Sequence, residues 1–113
     1  MSVAEFKKVI ARDVQIVGYI RSWEIVNETP NAIKARLIVN NYCFIQIYVN
    51  VRKRLKNYVV ILNGLRLYGR DCDGGKWHKH PWNNHDNHEF DEEIPLKDFL
   101  FEVYEGLMEK ELI

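Results

Sequence analysis

Cysteine is scarce in this chain of 113 residues: Cys43 and Cys72 are the two it has. Two is too few for a disulfide framework, and neither belongs to a Cys-x-x-Cys pair. Both are expected as free thiols in a reducing compartment. Cys43, inside the apolar run Cys43-Phe44-Ile45, reads as a small buried hydrophobe. Cys72 stands between Asp71 and Asp73, whose charges disfavour a nucleophilic thiolate. Six glycines and three prolines are too few for a collagenous or low-complexity chain. Apolar runs stop at about five residues, far below the roughly 18 a membrane span needs, so no membrane partner is expected. The opening Met-Ser-Val-Ala-Glu-Phe-Lys-Lys lacks an apolar segment after a basic start, so a secretory signal is not expected and the cytoplasm is.

Net charge is also absent, but only as an average. Residues 1–85 carry 14 Lys and Arg against 6 Asp and Glu, whereas residues 86–113 carry 2 against 10. Such a split points to an anionic partner or to self-complementarity, a homodimer included. Its plainer reading is an acidic C-terminal helix packed on a basic sheet. With 47% hydrophobic and 12% aromatic residues, the chain can bury the core of a single domain, 1–113, without staples.

Phe6, Val9, Ile10, Val14 and Val17 recur at helical spacing, predicting an amphipathic helix over about 3–14. Ser22–Asn27 reads as a strand closed by Thr29-Pro30-Asn31. Ile33, Ala35, Leu37 and Val39 then alternate with polar residues, and Asn40-Asn41 suits a tight turn because Asn tolerates positive φ. Cys43, Ile45, Ile47, Val49 and Val51 share one face of the next strand; Tyr42, Phe44, Gln46, Tyr48 and Asn50 share the other. Tyr58–Leu62 leads into Asn63-Gly64, a strong hairpin signal, and Leu65, Leu67 and Gly69 alternate with Arg66, Tyr68 and Arg70. Leu96, Phe99, Leu100, Val103, Leu107 and Met108 form the stripe of a C-terminal helix over 96–111, with Pro95 and Asp98 suited to its first turn. The expected fold is α+β: an antiparallel meander of four to five strands over about 20–71, with an N-terminal and a C-terminal helix packed on it.

Between meander and last helix, 72–95 is predicted as a His/Trp-rich loop. It holds all four histidines, as His78-x-His80 and His85-x-x-His88, together with Trp77 and Trp82. Long unpatterned loops in small domains are usually functional or disordered, and tryptophans argue for order. Each histidine pair can converge locally, by alternation in the first and by a helical turn in the second. One use is metal binding at His78, His80, His85 and His88, with Asp86 or Glu89 adding oxygen, though the spacing matches no standard zinc pattern. Another is acid–base catalysis, for which imidazole is suited near neutral pH. A third is purely structural, the rings packing on Trp77 and Trp82. His85 and His88 are the stronger catalytic candidates, since Asp86 and Glu89 can orient a neighbouring imidazole.

Residues 51–79 add eight Lys and Arg against two Asp. Arg66, Tyr68 and Arg70 are expected on one side of a strand, opposite Tyr42, Gln46 and Tyr48, where cations could hold phosphates and rings could stack on bases. Lys79 and Trp77 extend that candidate substrate-binding set. The alternative is a solvated sheet face covered by the acidic helix.

Ser22-Trp23-Glu24-Ile25-Val26, the hairpin Ala35-Arg36-Leu37-Ile38-Val39 to Phe44-Ile45-Gln46-Ile47-Tyr48-Val49, the run from Trp77 to His88, and Ile94–Leu100 together resemble the TumE-type toxins of prokaryotic toxin–antitoxin modules, over roughly residues 17–108. The resemblance implies a small cytoplasmic protein that attacks RNA and is paired with a DNA-binding antitoxin. It makes a metal-independent ribonuclease the leading expectation, with histidines as acid and base and Arg66, Arg70 or Lys79 stabilising the phosphorane. A non-catalytic nucleic-acid- or protein-binding module and a His-rich metal-dependent hydrolase are the alternatives.

Overall fold

A computed structural model describes residues 1–82 and 89–113, with backbone alone at 89–91. Helix α1 spans Val3–Val17. Ser2 starts it with a capping box: its hydroxyl accepts from the Glu5 amide at 3.1 Å, and the Glu5 carboxylate accepts from the Ser2 amide at 3.3 Å. The helix runs to Val17 because Val14 and Val17 continue the apolar stripe until Gly18 takes a left-handed φ of 77°.

Among the described residues seven antiparallel strands follow in chain order: β1 (Ser22–Glu28), β2 (Ala32–Ile38), β3 (Cys43–Asn50), β4 (Leu55–Leu62), β5 (Leu65–Asp73), β6 (Lys76–His80) and the short β7 (Glu89–Asp91). Helix α2 (Leu96–Glu109) then closes the α+β fold. No helix among the described residues is long and apolar enough to cross a membrane.

The sheet exceeds the expected four to five strands because the segment 72–95 is not a plain loop. Gly74 and Gly75 adopt φ of 60° and 91°, the positive values a two-residue hairpin requires, and return the chain as β6. In Lys76-Trp77-His78-Lys79-His80 Trp77 alone is buried, and its neighbours are not. Between β2 and β3, Asn40 and Asn41 stay out of the positive-φ region; the turn is held by Val39 N–H to Cys43 O at 3.0 Å and the Asn40 side chain accepting from the Tyr42 amide at 2.9 Å. Asn63-Gly64 makes its turn as expected, with φ of 51° and 80°.

Both helices cover one face of the sheet. Ile33, Ala35, Leu37, Cys43, Ile45, Ile47, Val49, Tyr58 and Val60 meet Phe6 and Ile10 of α1 and Phe99, Leu100, Val103 and Leu107 of α2 in one core. Tyr19 donates to the Leu100 carbonyl at 2.5 Å, tying the end of α1 to α2. Met108, expected on the α2 stripe, is 49% exposed. α2 stops at Glu109 rather than 111 because Glu111 takes a φ of 56° and Leu112 N–H turns back to the Leu107 carbonyl at 2.8 Å. Among the described residues no element packs on the opposite face, and that open face carries the candidate chemistry.

Candidate active site

Register decides which side chains share the open face. Across β2 to β6, Lys34 pairs with Tyr48, Tyr48 with Asn57, Asn57 with Asp71 and Asp71 with His78. A parallel row runs Arg36, Gln46, Val59, Gly69, His80. Paired residues point to the same side, so both rows lie on the face that the helices leave bare.

At the β6 end Asp71 stands between two imidazoles. Its Oδ2 is 2.9 Å from His80 Nε2, and its Oδ1 is 3.7 Å from His78 Nδ1. An ionised carboxylate can only accept, so in this contact Nε2 of His80 is the donor. All three groups are between one-fifth and one-third exposed, held in place yet reachable. Beside them a cavity of about 350 Å³ is lined by Tyr48, Asn57, Asp71 and His78. Gly69 leaves the floor next to His80 without a side chain; a Cβ there would lie 2.8 Å from the Tyr58 carbonyl oxygen, so the backbone itself demands glycine.

At the other end Arg36 stacks on Phe44, its guanidinium carbon 5.1 Å from the ring centroid. Its Nε is buried with no hydrogen-bond partner among the described residues.

The expected substrate-binding set is divided. A bulge where β4 shifts register between Val60 and Ile61 pairs Val60 with Tyr68 but Ile61 with Arg66, leaving Leu67 as the extra residue. Arg66 therefore sits on the open face, whereas Tyr68 and Arg70 turn under α2. Tyr68 is 2% exposed, stacked on Trp82 at 4.7 Å and on Phe99 at 6.0 Å, and its hydroxyl donates to Glu102. Burial and that bond push the Tyr68 phenol well above its ordinary range. Burial opposes the charge on Arg70, and bonds to Glu102 and Tyr68 outweigh it, so its pKa is raised. These two are packing and pairing groups rather than surface contacts for a substrate. Trp77 is likewise buried, its ring edge-on to Tyr58 at 6.2 Å. Lys79 faces α2, lining a cleft with Trp82, Glu102 and Glu105.

His78 and His80 are thus brought together, while His85 and His88 lie outside the described residues. Among the described residues no group of three or more His, Cys, Asp or Glu is placed to hold a metal ion. Asp71, Arg36 and Phe44 were not singled out by sequence reasoning. Asp71 could have been found from the Asp73-Gly74-Gly75-Lys76 turn, which by counting back sets Asp71 opposite His78. No family model, curated protein or solved structure matches the chain.

Proposed function

We propose that the chain is a metal-independent ribonuclease of toxin type that binds single-stranded RNA across its open sheet face and cleaves it at Asp71, His78 and His80. The observation that carries this reading is one carboxylate addressing two imidazoles, 2.9 Å and 3.7 Å away, at the rim of a cavity. Asp71 orients His80 so that Nδ1 takes the proton of a ribose 2′-hydroxyl. The 2′-oxygen attacks phosphorus, the bond to the 5′-oxygen breaks, and His78 delivers a proton to that leaving oxygen. The products are a 2′,3′-cyclic phosphate and a free 5′-hydroxyl. Lys34, Arg36 and Arg66 supply positive charge on the same face, and Phe44 and Tyr48 offer rings to unpaired bases. The resemblance to TumE-type toxins favours RNA as substrate and a DNA-binding antitoxin as partner.

Induced expression in a bacterial host tests the reading, scored by growth arrest and RNA integrity, alongside cleavage of a labelled RNA by purified protein in excess chelator. Loss of His80 or Asp71 should slow cleavage by about 10²–10⁴-fold. Full activity of His80→Ala and Asp71→Asn at equal protein level would sink the assignment, and dependence of activity on added metal would replace it with the hydrolase alternative. Binding of RNA without cleavage would leave the non-catalytic module, which the cations and rings of the open face would serve without the histidines.

A further inference from the structure

At the end of the sheet where β3 turns into β4 and β5 into β6 lies a second cavity of about 350 Å³. Its walls include Arg54, Lys56, Cys72, Gly75, Trp77 and Glu93. Two features fix Arg54 at the cavity wall. Its φ is 56°, a left-handed conformation unusual for a residue with a long side chain. The strained residue is pinned through its carbonyl, which accepts from the Gly74 amide at 3.1 Å and from the Cys72 thiol at 3.8 Å. Its guanidinium lies against Gly75, where a Cβ would overlap it. Asn63 and Glu111 take a similar φ, so it is the guanidinium lying against Gly75, not the φ, that sets Arg54 apart and brings its charge to the cavity.

Lys56 supplies a second positive charge, its ammonium 5.9 Å from the centroid of the Trp77 ring. Two cations, one a planar fork suited to bidentate oxygens, favour a doubly charged phosphate over a single carboxylate. The volume is that of a small-molecule site, and Trp77 with Leu55 gives it an apolar wall. We propose that this cavity binds a small organic phosphate of nucleotide size, Arg54 and Lys56 holding the phosphate and Trp77 bordering the rest. Glu93, exposed on the rim, balances the two cations in the empty cavity and is pushed aside when the dianion enters. Leu55, Lys56 and Cys72 also border the cavity beside Asp71 and His78, but the assignment uses neither of those two groups.

Calorimetric titration of the full chain with adenosine 5′-monophosphate, inorganic phosphate, succinate and a five-nucleotide RNA tests it. The expected result is saturable binding of the monophosphate, weaker binding of inorganic phosphate, and loss of at least about tenfold in affinity in Arg54→Gly and in Lys56→Gln. Arg54→Gly relieves the backbone, so its fold is preserved and a weakened affinity reports the guanidinium. Glu93→Gln should tighten binding, an effect no structural role for the turn would produce. Unchanged affinity in Arg54→Gly, or succinate binding as well as the monophosphate, would overturn the proposal. So would binding of the RNA alone that His80→Ala also weakens, for the cavity would then belong to the open-face path.

Discussion

Glu102 of α2 grips Arg70 of β5 with both oxygens, Oε1 at 2.9 Å from Nε and Oε2 at 2.6 Å from Nη2. The acidic C-terminal segment and the basic body of the chain therefore meet inside the molecule, through a pair whose side chains are 29% and 13% exposed. Tyr68 joins them by donating to the same carboxylate. Removing the charge from one partner leaves the other half-buried without its counter-ion, whereas replacing both with apolar groups spares that cost. Glu102→Gln should therefore destabilise the fold by about 2 kcal/mol in urea unfolding. The double variant Arg70→Met with Glu102→Leu should recover most of the loss. A change within about 0.5 kcal/mol for Glu102→Gln would make the pair no stronger than an exposed surface bridge.

A fall in stability at alkaline pH is expected from the buried hydroxyls and thiol. Burial pushes the Cys43 thiol up from 9 to about 11, and burial likewise holds the phenols of Tyr19, Tyr58 and Tyr68 well above 10. Above pH 9 the unfolded chain loses the Cys43 proton while the folded chain keeps it, so proton release favours unfolding. The tyrosines act with the same sign from about pH 10 upward. The stabilisation is whole below pH 9 and is lost progressively as pH rises through 11. Denaturant midpoints measured from about pH 8 to about pH 11 should drop steadily past the first unit, and Cys43→Ala should flatten the early part of the fall. A flat profile over that range would show that these groups titrate normally in the folded protein.

Alternation made most of the sheet legible, since β3 buries Cys43, Ile45, Ile47 and Val49 in strict turn with Phe44, Gln46, Tyr48 and Asn50. The helices were legible for the same reason, through Phe6 and Ile10 in one and Phe99, Leu100, Val103 and Leu107 in the other. β6 escaped because its alternating residues are histidine, lysine and tryptophan, which drew attention as chemistry before they were weighed as a strand. The bulge at Leu67 escaped for a different reason: a one-residue slip reverses every facing side chain, and nothing local in Leu65–Arg70 announces it. That slip separates Arg66 from Tyr68 and Arg70 and divides the expected binding set. Asp71 meets His78 only through the β5–β6 pairing, a relation of register rather than of sequence neighbourhood.

Arg36 offers the sharpest separation of binding from stability. Its Nε is buried with no hydrogen-bond partner among the described residues, and such a donor costs about 1–3 kcal/mol wherever no acceptor reaches it. Replacing it by methionine removes both the orphan and the charge while keeping an unbranched stem over Phe44. Arg36→Met should leave the unfolding free energy unchanged or raise it by up to about 1 kcal/mol. Affinity for single-stranded RNA should fall, and the slope of log Kobs against log salt should become shallower by about 0.7, the loss of one phosphate contact. Phe44→Leu serves as the counterpart, since it weakens base stacking and leaves the salt slope alone. Should Arg36→Met destabilise the protein by more than about 1 kcal/mol with RNA affinity intact, Arg36 is a structural stack on Phe44 and the open face must take its charge from Lys34 and Arg66.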